Sequence, residues 1–241
     1  MAAFWWHPRG RLRLSDLSVE NEDELVTRYY EKDNAGDEVS RRPGTIFWCP
    51  ILEFENDPWF AHIDRVDPYH EKGATFLIGK KRKNTDPFDH VPIKEAGLQV
   101  ESNEALLVYK AKRRPVVLFS MQPKEWRLRS GRPADEVFLC IPSYTLEGYE
   151  PEQILAIKCL KYPTLFYLPA DQAFNRKEAM LRFDRAQLVL TSYLERVSPH
   201  QRLTNDALTL IQGWFRYWST GSPEDWILQY QKQQLERFDW A

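Results

Sequence analysis

Apolar residues fall mostly in short runs, and the spacing of these runs predicts a protein made mainly of β-strands. Short apolar runs bounded by Pro, Gly or charged positions are typical of buried or half-buried strands. Few helical patterns separate these runs, which favours a small antiparallel barrel. We interpret seven runs as strands: GTIFWCPIL (44–52), ATFLIG (74–79), EALLVYKA (104–111), RPVVLFS (114–120), EVFLCIPSY (136–144), ILAIKCLKY (154–162) and TLFYLPA (164–170).

Helical periodicity is confined to three segments. The segment NEDELVTRYYEK (21–32) has an apolar stripe and a capping pattern at its start. LTNDALTLIQGWFRYW (203–218) has a longer stripe, and Thr204 is its predicted N-cap. GSPEDWILQY (221–230) predicts a last helix with Ser222 as its cap. The order of elements is therefore mainly β, followed by C-terminal helices.

The pattern predicts one elaborated domain over residues 1–241. Residues 1–40 form an N-terminal extension with a helix, and residues 203–241 hold the C-terminal helices. Residues 53–103 interrupt the strand pattern, and their apolar positions are too scattered to build an independent core. We expect them to be an insertion between the first two core strands.

The amino-acid composition of the chain limits the classes of partner and cellular location that we expect for the protein. Of 241 residues, 28% are charged, and the net charge of −2 gives no overall attraction to nucleic acid or membrane. No apolar run approaches the length of a membrane span. The odd number of cysteines, Cys49, Cys140 and Cys159, at wide spacing indicates buried thiols rather than disulfides. We expect a cytoplasmic protein without membrane contact.

Positive charge is concentrated locally around the strand that begins at Arg114. Pro115 suits the start of a strand, and it biases the preceding arginine toward an extended conformation. Trp126 lies among the nearby basic residues, and aromatic rings stack on unpaired bases. No Cys-x-x-Cys or His-x-x-x-His spacing indicates a metal, so we expect no cofactor. The basic residues are Lys110, Lys112, Arg113, Arg114, Lys124, Arg127, Arg129 and Arg132.

Four blocks of the chain, in order, resemble the MazF/PemK family of toxin endoribonucleases. RPGTIFWCPI (42–51) is similar to the opening strand of the family, and RRPVVLFS (113–120) is similar to its Arg-Pro strand. VFLCIPSYT (137–145) resembles the third strand. The segment from about 178 to 218 resembles the closing strand and helix, with a basic and an acidic residue in LRFDR.

The resemblance implies an SH3-like barrel, a homodimer and cleavage of single-stranded RNA. The expected reaction is attack of a ribose 2′-hydroxyl on its own phosphate, without a metal. It assigns Arg114 to the phosphate, and the catalytic hydroxyl to Ser143 by spacing or to Thr145 by residue type. It also implies an antitoxin-like or regulatory protein partner, in a toxin or defence system. The expected RNA-binding residues are Lys112, Arg113, Lys124, Trp126, Arg127 and Arg129.

A second interpretation stays open beside the enzyme. The barrel could be retained while the chemistry is lost, which would leave a protein-interaction or regulatory subunit. The near-neutral charge and the large aromatic-rich insertion favour this interpretation.

Overall fold

The computed structural model of the protein describes most of the chain after residue 25. The described residues are 26, 28–33, 41–54, 58–65, 67, 69–70, 72–80, 86, 90–95, 98–121, 137–198 and 200–239. Their elements in chain order are β1 (Tyr30–Lys32), β2 (Ile46–Leu52), β3 (Trp59–Arg65), β4 (Ala74–Gly79), β5 (Ile93–Glu95), β6 (Leu98–Val100), β7 (Leu107–Val108), β8 (Ala111–Met121), β9 (Val137–Thr145), α1 (Pro151–Lys158), β10 (Leu165–Leu168), β11 (Ala179–Arg182), β12 (Gln187–Leu190), β13 (Glu195–Arg196), β14 (Gln201–Leu203), α2 (Asn205–Thr220) and α3 (Asp225–Arg237).

The chain divides into two compact units. Unit 1 comprises Met1–Cys49 and Arg113–Ala241, and unit 2 comprises Pro50–Lys112. The limits of unit 2 lie close to those of the expected insertion at 53–103. That these residues elaborate one domain, rather than fold alone, stays a prediction.

Unit 1 is organised around one sheet, whose strands differ in length. Its strands follow the order β10-β11-β9-β8-β2-β13, and β12 pairs with another part of β9. The pairs that β9 makes with β8, β11 and β12 are antiparallel. Among the described strands this sheet is an open path and not a closed ring. A mainly antiparallel β protein with C-terminal helices is therefore confirmed.

Strand β8 buries side chains on both of its faces. Val117 lies directly opposite Ile141, and both belong to the apolar core that includes residues of α2. Val116 and Leu118 point to the other face of the sheet and are also fully buried. The sequence of a strand that is buried on both faces is a continuous run of apolar residues, which explains VVLF at 116–119.

Helix α2 forms as its sequence predicts. The Thr204 side chain accepts a hydrogen bond from the Ala207 backbone N–H, which caps the helix. Its apolar stripe faces the core, where Trp214 is fully buried and its indole N–H donates to the Leu165 carbonyl at 3.0 Å. Gly221 then ends the helix in a left-handed conformation.

Helices α2 and α3 pack closely at Gly213. A Cβ atom at this position would lie 2.5 Å from the Trp226 ring and 2.6 Å from the Ile227 side chain. Contacts this short are not tolerated, so the absence of a side chain sets the distance between the two helices.

The N-terminal part of unit 1 is joined to its C-terminal part. Strand β1 pairs with β14 in an antiparallel two-stranded sheet. Beside it the Tyr29 and Tyr230 hydroxyls form a buried hydrogen bond between residues 201 positions apart. Burial raises the pKa of Tyr29 well above its usual value, so the Tyr29 phenol stays protonated.

Two sequence-based predictions of strands in the middle of the chain are wrong. Residues 154–162 were expected to be a strand, but α1 occupies Pro151–Lys158. Pro151 at the first helical position and a hydrogen bond from the Glu150 backbone to the Gln153 side chain (3.2 Å) start this helix. The strand expected at 104–111 is reduced to β7.

The ends of the chain differ from the pattern as well. In the segment 21–32, Tyr30–Lys32 form a strand and not a helix, because Tyr30 pairs with Leu203. Residues 21–25 and 27 of that segment lie outside the described residues. Helix α3 begins at Asp225 after Glu224, two positions beyond the start that Ser222 would cap.

We predict that the burial of Trp214 is essential to the stability of unit 1. Trp214→Ala should lower the free energy of unfolding by about 3–5 kcal/mol, because it removes a large apolar group from a packed core. Leu228→Ala, at a helical residue that is 44% exposed, is the control and should change it by less than about 0.5 kcal/mol. Urea denaturation measures both, and equal effects would contradict the prediction.

Candidate functional site

The register between β8 and β9 decides which predicted site residues can meet. Val116 lies directly opposite Pro142. Arg114 is two residues before Val116, and Tyr144 is two residues after Pro142. Side chains two positions apart on a strand share a face, so Arg114 and Tyr144 lie on the same face of the sheet.

Contacts confirm this arrangement and add a second arginine. The Arg114 guanidinium carbon lies 4.0 Å from the centroid of the Tyr144 ring. The Arg182 guanidinium carbon, from the end of β11, lies 5.4 Å from the same centroid. Both distances are within the range of cation–π attraction. One phenol ring is therefore in contact with two guanidinium groups.

Asp184 holds Arg182 in place through two parallel hydrogen bonds. Arg182 donates from Nε to Oδ1 at 3.1 Å and from Nη2 to Oδ2 at 2.5 Å. Arg185 Nε lies 3.7 Å from Oδ2 of the same carboxylate. Hydrogen bonding to Asp184 raises the pKa of Arg182, so this guanidinium stays charged. A bidentate pair also fixes its orientation.

We call these residues the Tyr144 cluster. It contains three guanidinium groups, one carboxylate and one phenol, and it is half-buried: the side chains of Arg182 and Asp184 are 23% and 33% exposed. Partial burial strengthens electrostatic interactions while solvent and ligands keep access. An excess of guanidinium groups suits an anion with several oxygens, such as a phosphodiester. The members are Arg114, Tyr144, Arg182, Asp184 and Arg185.

Ser143 and Thr145, the two candidates for the catalytic hydroxyl, lie on the other face of the sheet. They flank Tyr144 in β9, and their partners in β11 are Leu181 and Ala179. The structure therefore brings neither hydroxyl together with Arg114. The reason is the alternation of side chains along β9, which a block resemblance does not resolve.

Arg113 points away from Arg114, as the alternation along β8 requires. Its guanidinium carbon lies 5.2 Å from the centroid of the Trp48 ring, and it forms an ion pair with Glu195. Glu195 of β13 is directly opposite Trp48 of β2. Arg113 is thus held on the face of the sheet opposite to the Tyr144 cluster.

The other predicted RNA-binding residues divide into two groups. Lys112 is exposed and forms an ion pair with Glu53 at 3.3 Å within unit 2. Lys124, Trp126, Arg127 and Arg129 lie outside the described residues. Their role stays a prediction.

Sequence reasoning missed Tyr144, Arg182 and Asp184 as site residues. A signal was present, because LRFDR places a basic residue at the end of the apolar strand β11 and an acidic residue two positions later. In the structure Phe183–Arg185 form a 3-10 turn, which turns the Asp184 carboxylate back toward Arg182. The sequence does not reveal that Tyr144 meets them, because that depends on the β9–β11 register.

The cysteines are unsuited to nucleophilic chemistry. All three are free and buried. Burial raises the pKa of Cys49 to about 11 and raises that of Cys140 further, so both are thiols at neutral pH.

The described residues contain neither a metal-binding group nor a membrane-spanning helix. Across these ranges, no group of three or more His, Cys, Asp or Glu is placed to hold a metal ion, so His62, His70 and His90 do not converge. No helix in the same ranges is long and apolar enough to cross a membrane.

A second polar cluster connects α1, β10 and β11 of unit 1. The Glu178 carboxylate accepts hydrogen bonds from Lys158 Nζ at 2.6 Å and from the Tyr167 hydroxyl at 2.7 Å. Burial alone would raise the pKa of Glu178, but the hydrogen bonds from Lys158 and Tyr167 outweigh it, and the pKa is lowered. Because its hydrogen bonds join three elements of unit 1, this cluster has a structural role.

Comparison of the chain with protein-family models, with curated proteins and with solved structures finds no match. The resemblance to the MazF/PemK family thus depends on the four sequence blocks alone.

We predict that Glu178 contributes stability that is lost in acid. Because its pKa in the folded protein is below its ordinary value of 4.5, this contribution is complete above about pH 4.5 and disappears as the pH falls through the folded value. Thermal unfolding from pH 7 to pH 3 should show a smaller loss of melting temperature for Glu178→Gln than for the unsubstituted protein. Glu147→Gln, in an exposed ion pair with Lys177, is the control and should follow the unsubstituted protein.

Proposed function

We propose that the protein is an endoribonuclease of toxin or defence-effector type that cleaves single-stranded RNA at the Tyr144 cluster. The observation that carries the proposal is the contact of Arg114 and Arg182 with one phenol ring, with Arg182 fixed by Asp184. A phosphodiester held there would meet two permanent cations, a hydroxyl donor and a carboxylate within one half-buried site. These are the groups that cleavage by a 2′-hydroxyl requires.

The proposed reaction is an internal displacement at phosphorus. The ribose 2′-oxygen forms a bond to its own phosphorus, and the bond from phosphorus to the 5′-oxygen of the next nucleotide breaks. The Asp184 carboxylate takes the proton of the 2′-hydroxyl, and the Tyr144 phenol gives a proton to the leaving oxygen. Arg114 and Arg182 stabilise the charge that develops on the phosphoryl oxygens. Because guanidinium groups supply this charge, the proposed reaction needs no metal.

The strand connections of unit 1 support the SH3-like barrel that the proposal includes. Strands β12-β9-β8-β2-β13 are consecutive neighbours, so β12 and β13 would be about 19 Å apart in a flat sheet. The chain from Leu190 to Glu195 spans at most about 18 Å when fully extended, and Thr191–Tyr193 form a compact 3-10 turn. The sheet must therefore curl to bring β12 and β13 together.

The surrounding positive charge is proposed to bind the RNA strand. Lys112, Arg113, Lys124, Arg127 and Arg129 would contact phosphates, and Trp126 would stack on a base. Arg113 is on the face away from the Tyr144 cluster, so its contribution to binding is expected to be small and indirect. A homodimer and an antitoxin-like partner remain part of the proposal.

One observation favours the alternative of a regulatory or interaction subunit without catalysis. The two expected hydroxyl residues, Ser143 and Thr145, lie on the face of β9 that Arg114 does not reach. If their hydroxyls are indispensable, the cluster binds an anion and does not cleave it. Tyr144 then serves as a ring on which the arginines pack.

We predict that Arg114 and Arg113 respond differently to substitution. Arg114→Ala should reduce RNA cleavage by about 100- to 1000-fold, because it removes a donor to the developing charge, and should shift the melting temperature little. Arg113→Ala is the matched control on the other face and should weaken RNA binding only slightly. This weakening should become smaller as the salt concentration is raised. Single-turnover cleavage of labelled single-stranded RNA measures both. Equal, mild effects would contradict the proposed site.

We predict that Tyr144→Phe separates catalysis from binding. The ring that contacts both arginines is kept and only the phenol hydroxyl is lost, so RNA should bind normally and be cleaved at a much lower rate. Full cleavage by Tyr144→Phe would exclude the phenol as proton donor. If the unsubstituted protein bound RNA but cleaved none, in EDTA or with added Mg²⁺, the alternative function would be supported instead.

A further inference from the structure

The edge strand β4 in unit 2 carries apolar side chains and lacks the features that usually protect an edge strand. Within the described part of the chain β4 pairs with β3 alone, and β3 pairs on its other side with β7. The six residues of β4, ATFLIG, include no charge and no proline. Natural proteins usually protect an edge strand with charged side chains, proline or a bulge. Strand β4 has none of these features.

Apolar side chains of β4 are exposed on both faces of this small sheet. Leu77 is 51% exposed on one face, and Ile78 is 58% exposed on the other. The face of Ile78 continues through its partner Ala61 to Trp59, which is 47% exposed, and to Val108 opposite Trp59. An uncharged edge beside a half-exposed apolar face is the surface that an added strand covers.

The charges at the two ends of β4 indicate which kind of added strand can pair with it. Lys72 precedes the strand and Lys80 follows it, and both are exposed. Antiparallel pairing with β4 of a second copy would bring Lys72 of each chain toward Lys80 of the other. Like charges across a strand pair are destabilising, so self-pairing is disfavoured at both ends. A strand with acidic residues at both ends is favoured at the same two places.

We propose that the edge of β4 binds an extended segment of a partner protein by strand addition. The segment has an apolar centre with alternating side chains, which packs beside Phe76 and Ile78, and carboxylates at each end, which meet Lys72 and Lys80. Backbone hydrogen bonds to β4 provide affinity, and the flanking charges provide orientation and selectivity. All residues involved belong to unit 2, so the inference does not depend on the proposed ribonuclease activity.

The test uses three labelled synthetic peptides and the full chain. The peptide EDVTVTVDE has the expected pattern, KKVTVTVKK reverses the flanking charges, and EDVTPTVDE has a proline in the centre that removes a backbone donor. Fluorescence anisotropy should show binding of the first peptide. The second should bind at least about tenfold more weakly, because two attractive ends become repulsive. The third should not bind measurably.

Two variants locate the binding to the edge. Ile78→Lys places a charge within β4 and should abolish binding of EDVTVTVDE. Leu188→Lys, at an exposed apolar residue of β12 in unit 1, is the matched control and should bind as the unsubstituted protein does. Circular dichroism of both variants checks that they fold.

Three results would overturn the proposal. Equal binding of all three peptides would show non-specific adsorption, and unchanged binding to Ile78→Lys would place the peptide elsewhere. Failure of EDVTVTVDE to bind, with a dimer in light scattering that Ile78→Lys converts to a monomer, would show that a second copy of the chain covers the edge.

Discussion

The structure of unit 1 depends on one constraint, which is that β8 must bury apolar side chains on both of its faces. Val117 packs toward the core that α2 completes, and Val116 packs into the opposite side of the sheet. This double burial fixes the rotation of β8 about its axis, because any change would place one apolar set in water. The orientation of Arg113 and Arg114 follows directly, since they continue the same alternation beyond the buried segment. One strand thereby sets the fold and the geometry of the candidate site together.

The sequence predicts those parts of the fold that depend on local pattern. The positions of β2, β4, β8 and β9 follow from short apolar runs, and α2 follows from the stripe and cap of its own residues. The errors occur where distant contacts decide. Tyr30–Lys32 become a strand because β14 offers pairing partners from the other end of unit 1. The apolar run of α1 fits a strand and a helix equally well. The capping interactions of Glu150 and Pro151 make it a helix.

The candidate site likewise contains residues that local sequence pattern predicts and residues that only distant contacts bring together. Arg114 could be singled out from its position before Pro115, and its separation from Arg113 could be derived from strand alternation. Tyr144 and Arg182 could not be found in this way, because a contact between three strands depends on two registers at once. Choosing Ser143 by spacing or Thr145 by residue type neglects the face of β9 on which each side chain lies. A site in a sheet is therefore predicted best by deciding the faces first and the chemical groups second.

The pairing of β1 with β14 and the bond between Tyr29 and Tyr230 have a consequence for synthesis of the protein. A ribosome adds residues in order, so the early segment around Tyr29 waits for partners that are made about two hundred residues later. During that interval Tyr29 lacks its hydrogen-bond partner Tyr230, and the apolar core surface that α3 covers is exposed. The nascent chain of unit 1 therefore completes its fold only after residue 230 has left the exit tunnel. Until then its uncovered apolar surface is of the kind that makes incompletely folded chains prone to aggregation.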